Sequence, residues 1–300
     1  MLTRIAPTPS GYLHIGNAVN FVLTWLAARQ RGGRVLLRID DLDADRKRPE
    51  YVADIFYTLD WLGLDYDLGP SGPDDFEANW SQRHRLARYE ATLGQLAAAE
   101  AVYACGWSRK QLVQFGDTYP AAIRTQHLPL DALDVAWRFR ADDGGDFVVR
   151  RRDGLPAYQI ASLTDDIDFG VTHLVRGQDL YNSTRMQREL AERLKRGTFS
   201  PDKSIADSGT FLEAQVWHHP LLLDASGQKL AKSAGSGAAG PTSIRAMRLA
   251  GESPARVFQQ VGTLLRESLG TLPELGDSLA DLLSLNAIAD AVFRPVHTVK

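Results

Sequence analysis

The chain has 300 residues, 44% hydrophobic and 24% charged, which is enough to bury one large core or two modest ones. A formal net charge of −3 excludes a globally basic coat, so any nucleic-acid surface has to be a local patch. The single cysteine, Cys105, excludes an intrachain disulfide framework and suits a reducing cytoplasm; no apolar run reaches a membrane span, and "MLTRIAPTPSG" is not built like a signal peptide.

Strand and helix patterns alternate, which predicts an α/β core. Residues 2–6 read as a first strand. "PTPSGYLHIGN" (7–17) then leads into a helix with Val19, Val22 and Leu26 on one face. A Gly-containing turn before a helix suits an anion, and equally suits plain helix capping. "RVLLRI" (34–39) reads as a buried strand running into "DDLD", and Pro49 opens a helix with Val52, Ile55, Phe56 and Leu59 inward. Ser81 is the expected cap of a helix carrying Leu86, Tyr89, Leu93 and Leu96. Residues 103–146 are irregular and read as an inserted subdomain.

"FVVRRRDGLPAYQIA" (147–161) reads as two strands around an Asp153–Gly154 turn, and "VTHLV" (171–175) as a core strand. Asn182 or Ser183 opens a helix with Met186, Leu190 and Leu194. "VWHHPLLLD" reads as a last strand that turns at Ser226–Gly227 into "QKLAKS", and residues 234–243 have loop composition. Ser253–Pro254 opens a helix bearing Val257, Phe258, Val261 and Leu265, and the remainder reads as helical.

"HIGN" (14–17) and "KLAKS" (229–233), in this order in an α/β pattern, resemble the HIGH and KMSKS signatures of the class I aminoacyl-tRNA synthetases. "RIAPTPSGYLHIGN", "LRIDDLD", "RRRDGLPAYQIA" and "GVTHLVRGQDL" look like successive blocks of the glutamyl-tRNA synthetase catalytic core, from about residue 3 to residue 235. Only 67 residues follow Ser233, which is short for an anticodon-binding region. A catalytic core without that region resembles the glutamyl-Q tRNA(Asp) synthetases, which place glutamate on the queuosine base of a tRNA. The implied fold is a Rossmann-like class I core with an insert and a short helical C-terminal extension. Residues 1–102 and 147–235 would form its two halves, 103–146 the insert and 236–300 the extension.

The resemblance also implies roles. Activation of glutamate is an in-line attack of a carboxylate on the α-phosphate of ATP, so the site must hold two anions and neutralise phosphate charge. His14, Gly16, Asn17, Lys229 and Lys232 are the implied catalytic residues, with His14, Gly16 and Lys232 meeting ATP. Arg4, Ala6, Thr8, Asp40, Tyr158 and Arg176 match glutamate-binding positions. Read without the resemblance, the lysines fit a solvated hairpin end. On the same terms Tyr158 fits a core aromatic, and Arg176 a partner of Asp165, Asp166 or Asp179. The implied substrates and partners are glutamate, ATP with Mg2+, and tRNA, with tRNA(Asp) as the expected acceptor. The expected protein is a cytoplasmic monomer with no membrane attachment.

Several positions depart from the family pattern. Asp40 stands where a glutamate meets the substrate ammonium, and the lost methylene withdraws the carboxylate by about 1.5 Å. Asn17 replaces the last histidine of HIGH and still donates hydrogen bonds; Ala231 replaces the serine of KMSKS. The family's zinc segment reads "YACGWS" here, with Cys105 kept and Tyr119 at a ligand position, but Trp107 and Ile123 where thiolates belong. With two of four ligands missing, the expectation is a metal-free subdomain packed around Trp107, Phe115 and Ile123. These departures leave open a paralogue using a related amino acid or another acceptor, and a non-catalytic tRNA-binding or regulatory protein that keeps the fold.

Overall fold

The structure is a computed structural model and describes residues 1–115, 121–143, 145–197, 208–222, 242–269 and 277–285. In chain order the main elements are β1 (Leu2–Ile5), α1 (Ile15–Arg29), β2 (Arg34–Leu37), α2 (Pro49–Leu62), α3 (Leu86–Ala98), β3 (Val102–Cys105), β4 (Ala136–Phe139) and β5 (Phe147–Arg150). Then come α4 (Tyr158–Asp168), β6 (His173–Gly177), α5 (Tyr181–Gly197), β7 (Gln215–His219), α6 (Ile244–Leu249), α7 (Ala255–Leu269) and α8 (Leu279–Ser284). Among the described residues no helix is long and apolar enough to cross a membrane. The chain divides into two compact units, one built from residues 1–82, 171–181 and 214 onward, the other from 83–170 and 182–213.

The first unit is a parallel strand array. β1 pairs with β2, and β6 with β7, both in parallel. The pairs are joined where the Thr172 N–H donates to the Leu2 carbonyl at 2.9 Å and the Leu2 N–H to Thr172 Oγ1 at 3.0 Å. The resulting order is β2-β1-β6-β7, so the connection from β1 and that from β6 run in opposite directions from the centre. Ligands of open α/β sheets bind at the carboxyl ends of the strands at such a switch point. Val19, Val22 and Leu26 of α1 are fully buried in the core, which Val257, Phe258, Val261 and Leu265 of α7 join. Pro49 begins α2, and Gly63 ends it in the left-handed conformation (φ 69°), where a side chain would be strained.

Asn20 of α1 is tied to the sheet: its Nδ2 donates to the Val175 carbonyl at 3.4 Å and lies 3.1 Å from His219 Nε2. His219 Nδ1 lies 2.7 Å from the Pro220 carbonyl, which can only accept. The proton therefore sits on Nδ1, and Nε2 accepts from Asn20. Burial lowers the affinity of this ring for a second proton, outweighing the nearby charge of Asp179, which favours it.

The second unit carries the antiparallel sheet β3-β4-β5. Asp146 closes its turn region, accepting from Tyr103 Oη at 2.7 Å, from Arg124 through both Nε and Nη2, and from the Ala141 N–H at 3.0 Å. Burial and the Asp146 bond hold the Tyr103 phenol well above its ordinary range. On α4, the buried Asp165 takes Arg85 Nε at 2.7 Å and Tyr89 Oη at 3.0 Å. Arg85 and Arg88 also hold the neighbouring Asp168.

Two sequence expectations need correction. The second strand expected after the Asp153–Gly154 turn is a single bridge between Arg150 and Pro156, and the helix α4 begins at Tyr158. The Arg151 N–H donates to the Leu155 carbonyl at 2.7 Å and the Ala157 N–H to the Val149 carbonyl at 2.8 Å, and Ala157 is already the N-cap of α4; "YQIASL" carries its apolar residues at helical as well as strand spacing. Ser81 does not cap α3; its hydroxyl donates to Asp41 Oδ2 at 2.7 Å, and the helix starts at Leu86 after a 3-10 turn. The Ser226–Gly227 turn lies outside the described residues.

Two outcomes follow. Asp146→Ala strands the Tyr103 hydroxyl and the Ala141 amide, and urea titration should show a loss on the order of 2–3 kcal/mol. His219 stays neutral in the fold but protonates when unfolded. Its stabilising contribution is therefore present above the ordinary histidine value of about 6.5 and is lost as pH falls below it. Thermal melts of His219→Gln should show a shallower acid limb between pH 7 and pH 5 than the parent protein.

Candidate active site

The turn at residues 13–17 is built by local hydrogen bonds. His14 is the N-cap of α1, and its Nδ1 accepts the Gly16 N–H at 3.1 Å. Asn17 reaches back, its Oδ1 accepting the His14 N–H at 3.1 Å, which completes a capping box. Because Nδ1 accepts, the proton of the neutral ring is at Nε2, the atom with which His14 can donate to an anion. Asn17 thus serves as an acceptor in the cap, whereas the sequence suggested a donor. Gly16 makes room for the same ring: a Cβ there would lie 3.0 Å from His14 Cε1 and 3.1 Å from Nδ1, so the ring would have to shift by a few tenths of an ångström to admit it.

The turn is also pinned from outside. Ile15 N–H donates to the Thr242 carbonyl at 2.9 Å, Ile244 N–H to the Leu13 carbonyl at 3.0 Å, and His14 forms a bridge with Ser243. Asp54 of α2 accepts the Leu13 N–H at 3.3 Å and an Arg248 guanidinium N–H, and burial holds its carboxyl above the usual range. Lys229 and Lys232 lie outside the described residues.

The ladder of β1 and β2 continues past the regular strands, with Arg38 N–H on the Ile5 carbonyl at 2.9 Å and Asp40 N–H on the Pro7 carbonyl at 2.8 Å. Ala6 and Thr8 are thereby set beside the Arg38–Asp40 stretch. Arg4 in β1 is 4% exposed and Arg176 in β6 is 1% exposed. Arg4, Ala6, Thr8, Asp40 and Arg176 therefore come together near the carboxyl ends of β1, β2 and β6. Two buried guanidiniums there suit a carboxylate, which they can hold by charge-assisted hydrogen bonds.

Asp40 is already engaged. Arg38 grips it with Nε at 2.7 Å and Nη2 at 3.2 Å, and Gln82 Nε2 donates at 3.3 Å. Its neighbour Asp41 accepts from Ser81 Oγ, the Gln82 N–H and Lys47 Nζ, and anchors the 81–82 turn. Tyr158 belongs to the second unit and is 40% exposed at the first position of α4, so it is no core aromatic. In the second unit Tyr103, Cys105, Leu112 and Ile123 form a buried apolar cluster with Trp107 against it, and the Trp107 and Phe115 rings lie 5.7 Å apart. The packing expected around Trp107, Phe115 and Ile123 is present; Tyr119 lies outside the described residues.

Sequence reasoning missed Asp54, Arg248, Asn20 and His219. Asp54 carried one signal, an acid set between the inward-facing Val52 and Ile55 of α2. The partners of the other three are distant in sequence and left no local trace.

The chain was compared with known proteins. The glutamyl-Q tRNA(Asp) synthetase of Nitratidesulfovibrio vulgaris is 37% identical to it, covering 98% of this chain and 94% of its own. That of Symbiobacterium thermophilum is 36% identical over 87% of this chain and 85% of its own. A glutamate–tRNA ligase of a Synechococcus strain is 35% identical, and the chain spans about half of that ligase's length (51%). The crystal structure of a glutamate tRNA ligase from Elizabethkingia meningosepticum shares the fold with a TM-score of 0.70 at 22% identity, covering 98% of this chain and 66% of that one. The family model for tRNA synthetases class I (E and Q), catalytic domain, matches residues 1–127 and 129–201. With this match and relatives of 36–37% identity along most of both chains, the protein belongs to the family of class I tRNA synthetase (E and Q) catalytic domains.

Proposed function

We propose that the protein activates glutamate with ATP and transfers it to tRNA, to the queuosine base of tRNA(Asp). The observation that carries this reading is the set of anion-holding groups at one sheet edge. There the His14 turn at the start of α1 joins the buried Arg4 and Arg176. The names of the relatives that match it nearly end to end support glutamate and tRNA as the substrates.

In this reading His14 donates from Nε2 to the nucleotide phosphates, and the positive end of α1 adds to the field. The attacking α-carboxylate is already anionic, so no general base is required. Arg4 and Arg176 hold the side-chain carboxylate, with Ala6 and Thr8 lining the same strands; Tyr158 is included on its match to a family glutamate-binding position alone. Lys229 and Lys232 supply charge as the phosphate bond breaks. Among the described residues no group of three or more histidine, cysteine or acidic side chains is placed to hold a metal. Mg2+ is assigned to the nucleotide because the phosphates of ATP carry it as their counter-charge. The same reading takes the enzyme as a cytoplasmic monomer and its second-unit cluster around Cys105 as metal-free. Elemental analysis after mild chelation should find no stoichiometric zinc, and one zinc per chain would overturn that assignment.

One observation favours a second reading. The Arg38 grip on Asp40 reduces what this shortened acid offers to a substrate ammonium, which favours a paralogue that activates a related amino acid. ATP–pyrophosphate exchange with each amino acid in turn separates the two. Labelled glutamate with tRNA that contains or lacks queuosine then tests the acceptor. Label that depends on queuosine is the expected result. Label on the 3′ end of tRNA(Glu), whatever the queuosine content, would refute the assigned acceptor. Within active protein, Lys232→Ala should slow exchange by about a hundredfold, roughly 3 kcal/mol of lost charge stabilisation. An unchanged rate would remove Lys232 from its role.

A further inference from the structure

Asp54 stands at a junction that the proposed chemistry does not use. It projects from α2 and is 2% exposed. One carboxylate oxygen accepts the N–H of Leu13, the residue before His14, at 3.3 Å. The other receives Arg248 from α6. On its far side the same turn pairs with the start of α6, through Thr242, Ser243 and Ile244. Stacked rings reinforce the junction. Arg245 lies over Tyr12 at 4.8 Å, Arg248 over Tyr57 at 5.6 Å, and Tyr12 meets Tyr51 edge-on at 4.9 Å.

Both of these partners are donors, so position 54 must present two acceptor oxygens. A carboxylate does so, while an amide of the same shape turns its NH2 toward either Leu13 or Arg248. Buried in this way, the ion pair is a costly stabiliser, and its attested use is to fix a register. Here the register is that of the His14 turn against α6, the first described element after the segment that carries Lys229 and Lys232.

We propose that Asp54 is a positioning residue for the nucleotide: through Leu13 and Arg248 it sets the His14 turn against α6, and its removal weakens nucleotide binding while leaving amino-acid binding intact. The inference rests on the ATP reading given above. The residues assigned to the amino acid, Arg4, Asp40 and Arg176, lie on β1, on the stretch after β2 and on β6, whereas the junction is built by Leu13, Asp54 and Arg248.

The test is calorimetric binding of α,β-methylene-ATP, and separately of glutamate, to the full chain and to Asp54→Asn, Arg248→Leu and Arg248→Lys. Asp54→Asn should weaken the nucleotide analogue about tenfold or more, with glutamate affinity unchanged within about twofold. Arg248→Leu leaves the Leu13 bond in place and should show the same selectivity at smaller size; it decides the matter if Asp54→Asn does not fold. Arg248→Lys keeps the charge and should recover most of the affinity. Unchanged nucleotide affinity in both Asp54→Asn and Arg248→Leu, or equal loss of both ligands, would overturn the positioning role alone. A parent protein that binds no nucleotide analogue would overturn the ATP reading and this inference with it.

Discussion

The first unit depends on how the chain starts α1. A helix begins with amide groups that have no partner within it, and here they lie at the carboxyl end of the sheet. The His14 and Asn17 side chains take up two amides of the turn, those of Gly16 and of His14. The cap also decides chemistry. By taking a proton donor at Nδ1, it leaves the ring proton at Nε2, and the absence of a side chain at Gly16 lets the ring lie over the turn. One hydrogen bond thus serves helix initiation and sets which ring nitrogen carries the proton.

The rest of the site is arranged around that cap by the sheet. The β1–β2 ladder runs on to Asp40, and the β1–β6 junction at Leu2 and Thr172 sets the order that reverses at the centre. Strand order, not any single residue, is what brings Arg4 and Arg176 to the same edge. Asn20 and His219 then tie α1 to β6 and β7 from beneath. Each link is a neutral or backbone contact that holds the carboxyl ends of the strands in place.

Much of this was legible in the sequence because it is local. The strand-to-helix turn, the buried "RVLLRI" strand, the proline start of α2 and the inward faces of α1 and α7 are set by spacing and by residue type. The misreadings share a cause. "AYQIA" is too short for its apolar residues to distinguish a period of two from one of 3.6, and the pairing gives way to the helix right after Ala157. Ser81 looked like a cap from its residue type, but a 3-10 turn over Gln82–Arg85 separates it from the helix start at Leu86, and its hydroxyl donates to the buried Asp41. Arg248 sits 194 positions from Asp54, and no periodicity links them.

The acidic pair at residues 40 and 41 divides labour in a way that spacing could not reveal. Asp41 is consumed by structure, with Ser81, Gln82 and Lys47 all donating to it. Asp40 keeps a different balance: a bidentate arginine on the adjacent turn neutralises it before any ligand arrives. Burying that carboxylate alone would be costly, and Arg38 removes the cost by pairing and by planar hydrogen bonding. The consequence for recognition is one of sign. A neutralised acid adds little long-range attraction for an ammonium. The proposed function therefore puts the weight of recognition on Arg4, Arg176 and the positive end of α1, which suit negative charge on the ligand. In the proposed reaction both substrates, the amino-acid carboxylates and the nucleotide phosphates, bring it.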